Sequence, residues 1–334
     1  MRAAVDQQQI AEEEEANSLL PKYLYPLVRF HHEDFYVSHS FDPRLIVQLM
    51  AEGFLPIATS NFLLPKLHVE RCLLQLSPTC NLHISKSTRR KAKNFSLSTN
   101  QCFDRVVAGC RAQHGMNWLY PPIVSAFKEI NKRTIETNGH GVDAVLVDND
   151  SNERCGTTQV RLYSIEIWDI NNNLVAGELG YSVGSIYTSL TGFSNQDNAG
   201  SVQLLALGKL LLKCGFTYWD LGMEMDYKMK LGSELMRRAD FVRRIHQTRA
   251  VNSSTTLQCE GKRNARELID WDRDNLQRSE FAVTTSSRTS STVTQASIHE
   301  DISNEPIQSE TIKHSKKRSH DEDVLEEVKK PASK

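Results

Sequence analysis

The sequence predicts an α+β domain in the middle of the chain, an antiparallel meander flanked by helices with the last strand inserted beside it. Three observations lead there. Apolar residues recur at helical spacing up to about residue 131, the period then changes to two, and an unusually apolar helix followed by a strand closes the pattern.

In DPRLIVQLMAEG, Asp42 is placed to cap a helix, Pro43 to open it and Gly53 to end it, with Leu45, Leu49 and Met50 as its apolar face. NQCFDRVVAGCRAQ sets Phe103, Val106, Val107 and Cys110 at helical spacing. PPIVSAFKEIN follows two prolines with Ile123, Phe127 and Ile130 on one face. VRLYSIEIWDI is β-branched and aromatic, and it ends at the turn Asn171-Asn172-Asn173. LVAGELGYSVGSIYTSL reads as two further strands punctuated by glycine. Asp197 or Asn198 is the expected cap of the apolar helix AGSVQLLALGKLLLKCG, which Gly215 closes. TYWDLGM reads as a strand, and EMDYKMKLGSELM as a final helix.

Outside this middle, composition shifts. Residues 1–20 are acidic, with Glu12, Glu13, Glu14 and Glu15 in a row, and residues 250–334 are rich in Ser, Thr, Glu and Lys. Neither holds enough large apolar side chains to offset the entropy of ordering, so both are expected to be disordered. Within the second, Ser315-Lys316-Lys317-Arg318 is a candidate nuclear-import signal beside an otherwise cytoplasmic expectation. Segment 132–158 is polar and expected as an exposed insertion. Its Asp148, Asp150 and Asn152 alternate as in a calcium loop, but Glu153 and Gln159 stand where that loop needs glycine and a bidentate glutamate.

The net charge of −1 favours neither a nucleic acid nor a membrane. No apolar run is long enough to span a bilayer, and no secretory signal is evident at the acidic start, so an intracellular protein without a membrane partner is expected. Seven cysteines without a C-x-x-C argue for reduced thiols rather than disulfides or zinc. The histidines have no ligand spacing, and no metal is expected.

Five segments, in order, resemble the leucyl/phenylalanyl-tRNA–protein transferase family over roughly residues 40–245. LHISKSTRRKAKNFSLSTNQCFDRVVAGC resembles its basic segment H-x-S-R-S-L-R-R with the strand and F-x-x-V-x-x-C helix that follow. NWLYPPIVSAF resembles W-I-T-P-x-M-I-E-A-Y, with Trp118 and Phe127 spaced as the family's Trp and Tyr. SIEIWDINNNLVAG resembles H-S-V-E-V-W…L-V-G-G, with Ser164, Glu166 and Trp168 in register. GFSNQDNAGSVQLLAL resembles S-M-F-S-R-x-x-N-A-S-K-x-A-L, and WDLGMEMDYKMKLGSELMRRADF resembles I-D-C-Q…S-L-G-A…P-R-R-x-Y.

The resemblance implies a GNAT-type acyltransferase domain at 113–249, its mixed, mostly antiparallel sheet flanked by helices, preceded by a small α/β domain at 21–112. It implies transfer of an amino acid, Leu or Phe in the family, from aminoacyl-tRNA to the N-terminal amine of acceptor proteins with a basic first residue. Such transfer belongs to N-degron protein degradation. Aminoacyl-tRNA is then a co-substrate, no cofactor is needed, and a monomer fits. The donor is already an activated ester, so positioning supplies much of the rate and no covalent nucleophile is required.

Site residues follow by position. Asp220 matches the Asp of I-D-C-Q, but the Gln is Gly222 and the Glu of G-E-S-M-F-S is Leu190. Glu178 stands where the family has an apolar residue facing the aminoacyl pocket, Asn195 replaces an Arg, and Arg237 replaces the Pro of P-R-R. Three readings stay open. The centre is rewired with Glu178, Glu224 or Asp226 as base; or a cationic donor meets Glu178; or the domain binds aminoacyl-tRNA or a protein N-terminus without catalysis. An acyl-CoA enzyme is a further alternative, although SNQDNAG lacks the phosphate-cradling glycine turn. With Asp220 and Glu178 as catalytic candidates, the resemblance places Trp118, Phe127, Phe193, Ser194, Leu204, Leu207, Leu211 and Gly222 at the substrate. Trp118, Phe127 and the leucines serve equally well as core. Lys86, Arg89, Arg90, Lys91 and Lys93, with Arg238, are the expected tRNA-phosphate contacts, against a merely solvated face. Arg237, Arg243, Arg244 and Arg249 extend that surface.

Overall fold

The computed structural model describes residues 35–77, 79–116, 118–147, 154–251 and 255–271, all within the compact unit Met1–Phe281. Helix α1 (Pro43–Ala51) begins as its sequence requires: the Asp42 carboxylate accepts from Arg44 N at 2.8 Å, and Gly53 takes a φ of +95° beyond its end. Strands β1 (Leu55–Ala58) and β2 (Leu63–Lys66) form a hairpin, and β3 (Glu70–Gln75) follows. Next come the short helix α2 (Lys86–Lys91), β4 (Phe95–Thr99), and helices α3 (Phe103–His114) and α4 (Pro121–Glu136). The meander is β5 (Val142–Val147), β6 (Arg154–Asp169), β7 (Leu174–Val183) and β8 (Ile186–Ser194). Helix α5 (Ala199–Lys213), β9 (Tyr218–Gly222), α6 (Asp226–Leu231), β10 (Glu234–Arg237), α7 (Arg238–Val251) and β11 (Arg263–Asn264) complete the order.

Among the described residues nine strands form one sheet in the order β10-β3-β9-β8-β7-β6-β4-β11, with β5 added to β6. The fold is mixed α+β and mostly antiparallel; the parallel pair is β8 with β9. Strands before residue 113 (β3, β4) and after it share this sheet. Two apolar cores cover its faces. One gathers Ile46, Val106, Phe127, Leu179, Tyr181 and Phe241, and the other gathers Leu97, Tyr163, Leu205, Leu207, Leu211 and Trp219. No helix among the described residues is long and apolar enough to cross a membrane.

Three expectations are corrected. EMDYKMKLGSELM is not one helix: Gly232 turns left-handed at φ +105°, where a Cβ would collide with the Asn81 carbonyl, and Glu234–Arg237 pair with β3 instead. Segment 132–158 is not an exposed insertion, because α4 runs through Glu136 and β5 pairs with the start of β6, burying Val142 and Ala144. Its calcium-like stretch at 148–153 lies outside the described residues, as do residues 1–20 and the basic cluster at 315–318. The tail does not begin at 250: β11 pairs with β4, and Leu257, Ala265, Leu268 and Ile269 are buried in the second core. Four apolar residues in a polar stretch escape a compositional reading.

Candidate active site

Glu166 shows how the motif residues hold the frame. Its carboxylate accepts from Ser164 Oγ (2.6 Å), Ser98 Oγ (2.7 Å) and the backbone N–H groups of Gln101 and Cys102 at the entry of α3. Trp168 Nε1 in turn donates to Ser98 Oγ at 2.8 Å. Burial raises the Glu166 carboxyl above its ordinary range, partly opposed by these donors. This network joins β4, β6 and α3 and lies away from the cleft described next.

The cleft opens where β8 and β9 part. They pair only from Ile186–Tyr218 to Thr188–Asp220; beyond that, Ser189–Ser194 and Leu221–Met223 run on without pairing to each other. A bulge accentuates the opening, since Leu179 pairs with Thr191 and Gly180 with Ser189, which leaves Leu190 extra. The resulting space is about 900 Å³ and takes in Trp118, Glu178, Leu190, Phe193, Ser194, Leu204 and Gly222. Helix α3 braces its far wall: Gln113 accepts from Ser194 N at 2.7 Å, and His114 Nε2 bonds the Gly192 carbonyl at 2.8 Å.

Glu178 is 4% exposed. Its Oε1 accepts from Tyr187 OH (2.9 Å) and Ser189 Oγ (2.8 Å), and its Oε2 from Gln203 Nε2 (2.9 Å). Gly180 permits this, because a Cβ there would lie 2.1 Å from the Tyr187 hydroxyl. Desolvation raises the Glu178 carboxyl above its ordinary range; the three donors and the charge of Lys228 oppose the rise. Among the described lining residues Glu178 is the carboxylate, facing Lys66, Lys228 and Lys230 together with His68, His83 and His114. Apart from that carboxylate the cleft is electropositive and suits an anionic ligand.

Asp220 does not line the cleft. It is fully buried behind it in an ion pair with Arg71, also fully buried: Arg71 Nε lies 3.1 Å from Oδ1, and the Arg71 Nη2–Oδ2 contact is shorter still. Thr188 Oγ1 and Gly222 N fill the remaining acceptor directions at 3.0 and 2.9 Å. Its carboxylate is saturated and unavailable to a substrate. Phe127 is likewise buried and meets the cleft only through Trp118, edge to face at 6.1 Å. Leu207 and Leu211 point into the core, whereas Leu204, on the same helix, reaches the cleft. Glu224 and Asp226, the other candidate bases, are exposed outside it.

The basic block lies at the cleft mouth, since Ser85 and Thr88 of α2 line it. Lys86, Arg90, Lys91 and Lys93 are exposed, and Lys91 donates to Asn198 Oδ1 at 2.7 Å. Arg89 instead pairs with Asp270 at 2.5 Å. Arg238 donates to the carbonyls of His68 and Leu67, which makes it a loop brace. Arg249 is buried and paired with Glu52 at 2.7 Å, so it is no part of a surface. Arg243 pairs with Asp240, and Arg244 stacks over Tyr218.

Sequence reasoning missed Arg71, Lys228, Tyr187, Ser189 and Gln203. For Arg71 a signal exists, a charge at the head of the largely apolar run RCLLQL. For the others the partners come from separate elements and no local pattern marks them.

The comparisons with known proteins converge on one family. Residues 157–246, from β6 into α7, match the family model for leucyl/phenylalanyl-tRNA protein transferase. The enzyme of that name from Paracoccus denitrificans is 24% identical over 197 residues, covering 58% of this chain and 80% of the relative. The one from Shewanella pealeana is 26% identical over 168 residues, 49% of this chain and 60% of the relative. The Psychrobacter arcticus protein is 24% identical over 219 residues, 63% and 71% respectively. The cleft's lining from Glu178 to Leu231 falls inside the matched region, and over it the chain is similar to the leucyl/phenylalanyl-tRNA–protein transferases.

Proposed function

We propose that this protein moves an amino acid from aminoacyl-tRNA to the N-terminal amine of an acceptor protein, in the manner of its relatives. The observation that carries the reading is the cleft between the parted strands. Its Trp118, Leu190, Phe193 and Leu204 offer an apolar wall for an aminoacyl side chain, and its lysines continue into the exposed cations of α2. A tRNA lies against those cations through its phosphates. The parting of two parallel strands supports a GNAT-type acyltransferase domain. N-degron degradation, acceptors with a basic first residue, a cytoplasmic setting and a monomeric state follow from the same reading.

The chemistry asks for alignment of an amine with an activated ester, a base for the amine's proton and a donor to the oxyanion. Glu178 receives the acceptor's α-ammonium; an incoming cation offsets the desolvation its carboxylate suffers. Asp220 acts only by holding Arg71 and the end of β9.

A second reading, a non-catalytic binder of aminoacyl-tRNA, is favoured by Leu190 and Gly222 standing where the resemblance leads one to expect polar groups. The full chain incubated with tRNAs charged with labelled leucine, phenylalanine, arginine or lysine, and with peptides beginning with Arg or Lys, separates the two. Label on the peptide supports the transferase and names its donor. Salt-sensitive tRNA binding with no transfer from any donor supports the binder.

A further inference from the structure

Lys228 sits on α6, immediately after β9, and lines the cleft although only 8% of its surface is exposed. Its Nζ donates to the Met223 carbonyl at 2.7 Å. No carboxylate among the described residues lies within ion-pair distance of it. A buried lysine without a carboxylate partner is rare, because the ammonium loses its hydration and gains no counter-charge. The ring of Tyr227, on the same helix, lies 5.8 Å from its Nζ, and the carboxylates nearby have other partners. Asp220 on β9 is taken by Arg71 on β3, Glu178 on β7 is satisfied by Tyr187, Ser189 and Gln203, and Cys72 on β3 is a buried thiol. Burial lowers the Lys228 amine below its ordinary range against the opposing pull of Cys72, Asp220 and Glu178.

Beside it is an empty place. Gly222 has a φ of +77°, and a Cβ there would meet no atom within 4 Å. The strand end therefore brings no polar side chain of its own to the cleft, and Lys228 reaches the same turn through the carbonyl of the next residue.

We propose that Lys228 is a catalytic residue of this cleft, the base that deprotonates the acceptor amine as it attacks the ester. The assignment rests on the aminoacyl-transfer reading. The acceptor nitrogen forms a bond to the ester carbonyl carbon. Lys228 in its deprotonated form takes a proton from that nitrogen, and as the carbon–oxygen bond to the ribose breaks, the resulting ammonium returns the proton to the leaving ribose oxygen. An amide and a free hydroxyl result, with Lys228 regenerated. Glu178, at the same wall, holds the incoming α-ammonium, which releases one proton to solvent to become the nucleophilic amine. The second is the one that Lys228 carries to the ribose oxygen, and burial, which lowers the Lys228 amine below its ordinary range, favours its deprotonated form for that step.

The test measures steady-state transfer by the full chain, across pH, for wild type, Lys228→Arg and Lys228→Met. Arginine keeps a donor for the Met223 carbonyl but stays protonated and cannot act as a base. Both variants should lose about 100-fold or more in kcat, with KM for peptide and tRNA within about twofold and Tm close to wild type. The rising limb of the wild-type kcat–pH profile should vanish in both. Lys228→Arg with kcat within about threefold of wild type, or an unchanged limb in either folded variant, overturns the assignment while leaving the transfer reading intact. A wild-type protein that transfers nothing from any aminoacyl-tRNA overturns both. If one variant fails to fold, the other decides.

Discussion

Asp220 meets a guanidinium and Glu178 meets only neutral donors, and that difference in partners separates what the two carboxylates do. Removing Asp220 leaves Arg71 charged and alone in the core, a loss of about 3–5 kcal/mol for a broken buried pair. Asp220→Ala should therefore unfold at clearly lower denaturant than wild type. A variant of native stability that has lost transfer would instead make Asp220 a direct participant. Glu178→Gln keeps the volume but removes the charge that holds an ammonium. It should raise KM for the acceptor peptide by about tenfold with a smaller change in kcat, whereas an unchanged KM contradicts the ammonium role. Neither fate is visible in the chain: Glu178 in VAGELG and Asp220 in YWDLG both read as strand carboxylates, and only the fold brings Tyr187, Ser189 and Gln203 to one and Arg71 to the other.

Helix α2 is short and buries none of its residues, yet it stands at the mouth of the cleft with three cations exposed (Lys86, Arg90 and Lys91), and Lys93 adds a fourth in the turn that follows. Reversing each of these to Glu should weaken tRNA binding, and each lost phosphate contact should lower the slope of log K against log salt by roughly 0.7–0.9. Arg89→Gln should leave that slope unchanged, because Arg89 is committed to Asp270. Filter binding from low to high salt reads both. Residues 255–271 are a different kind of element, an irregular lead-in followed by β11 and a helical stretch from residue 265, and they carry four buried apolar side chains into the second core. A chain ending at residue 251 should lose on the order of 5 kcal/mol, read as a fall in Tm against one ending at 271. Elements with local signals were legible: the Asp42 cap and Gly53 stop of α1, the asparagine turn between β6 and β7, and the apolar run of α5. Elements defined by distant pairing were not. β10 is helical by composition and becomes a strand because β3 offers it an edge, and β11 exists only against β4.

Across the molecule, α7 is clamped to the end of α1 through Glu52, whose carboxylate meets Arg249 at 2.7 Å and His246 at 2.8 Å. Burial raises the Glu52 carboxyl, but the His246 hydrogen bond and the Arg249 charge outweigh it, so the group titrates below its ordinary value of 4.5. The stability this contributes is complete above the unfolded value and is lost as pH falls through the folded one. Thermal melts between pH 7 and pH 3 should show a decline below about pH 4.5 that Glu52→Gln flattens; an equally steep decline in that variant would place the acid sensitivity elsewhere. The most direct measurement is the mass of an Arg-initiated peptide after incubation with the full chain and charged tRNA. The account predicts a product one amino-acid residue heavier, extended at its α-amine, formed by wild type and suppressed in Lys228→Arg. A peptide of unchanged mass, with the tRNA bound, contradicts it.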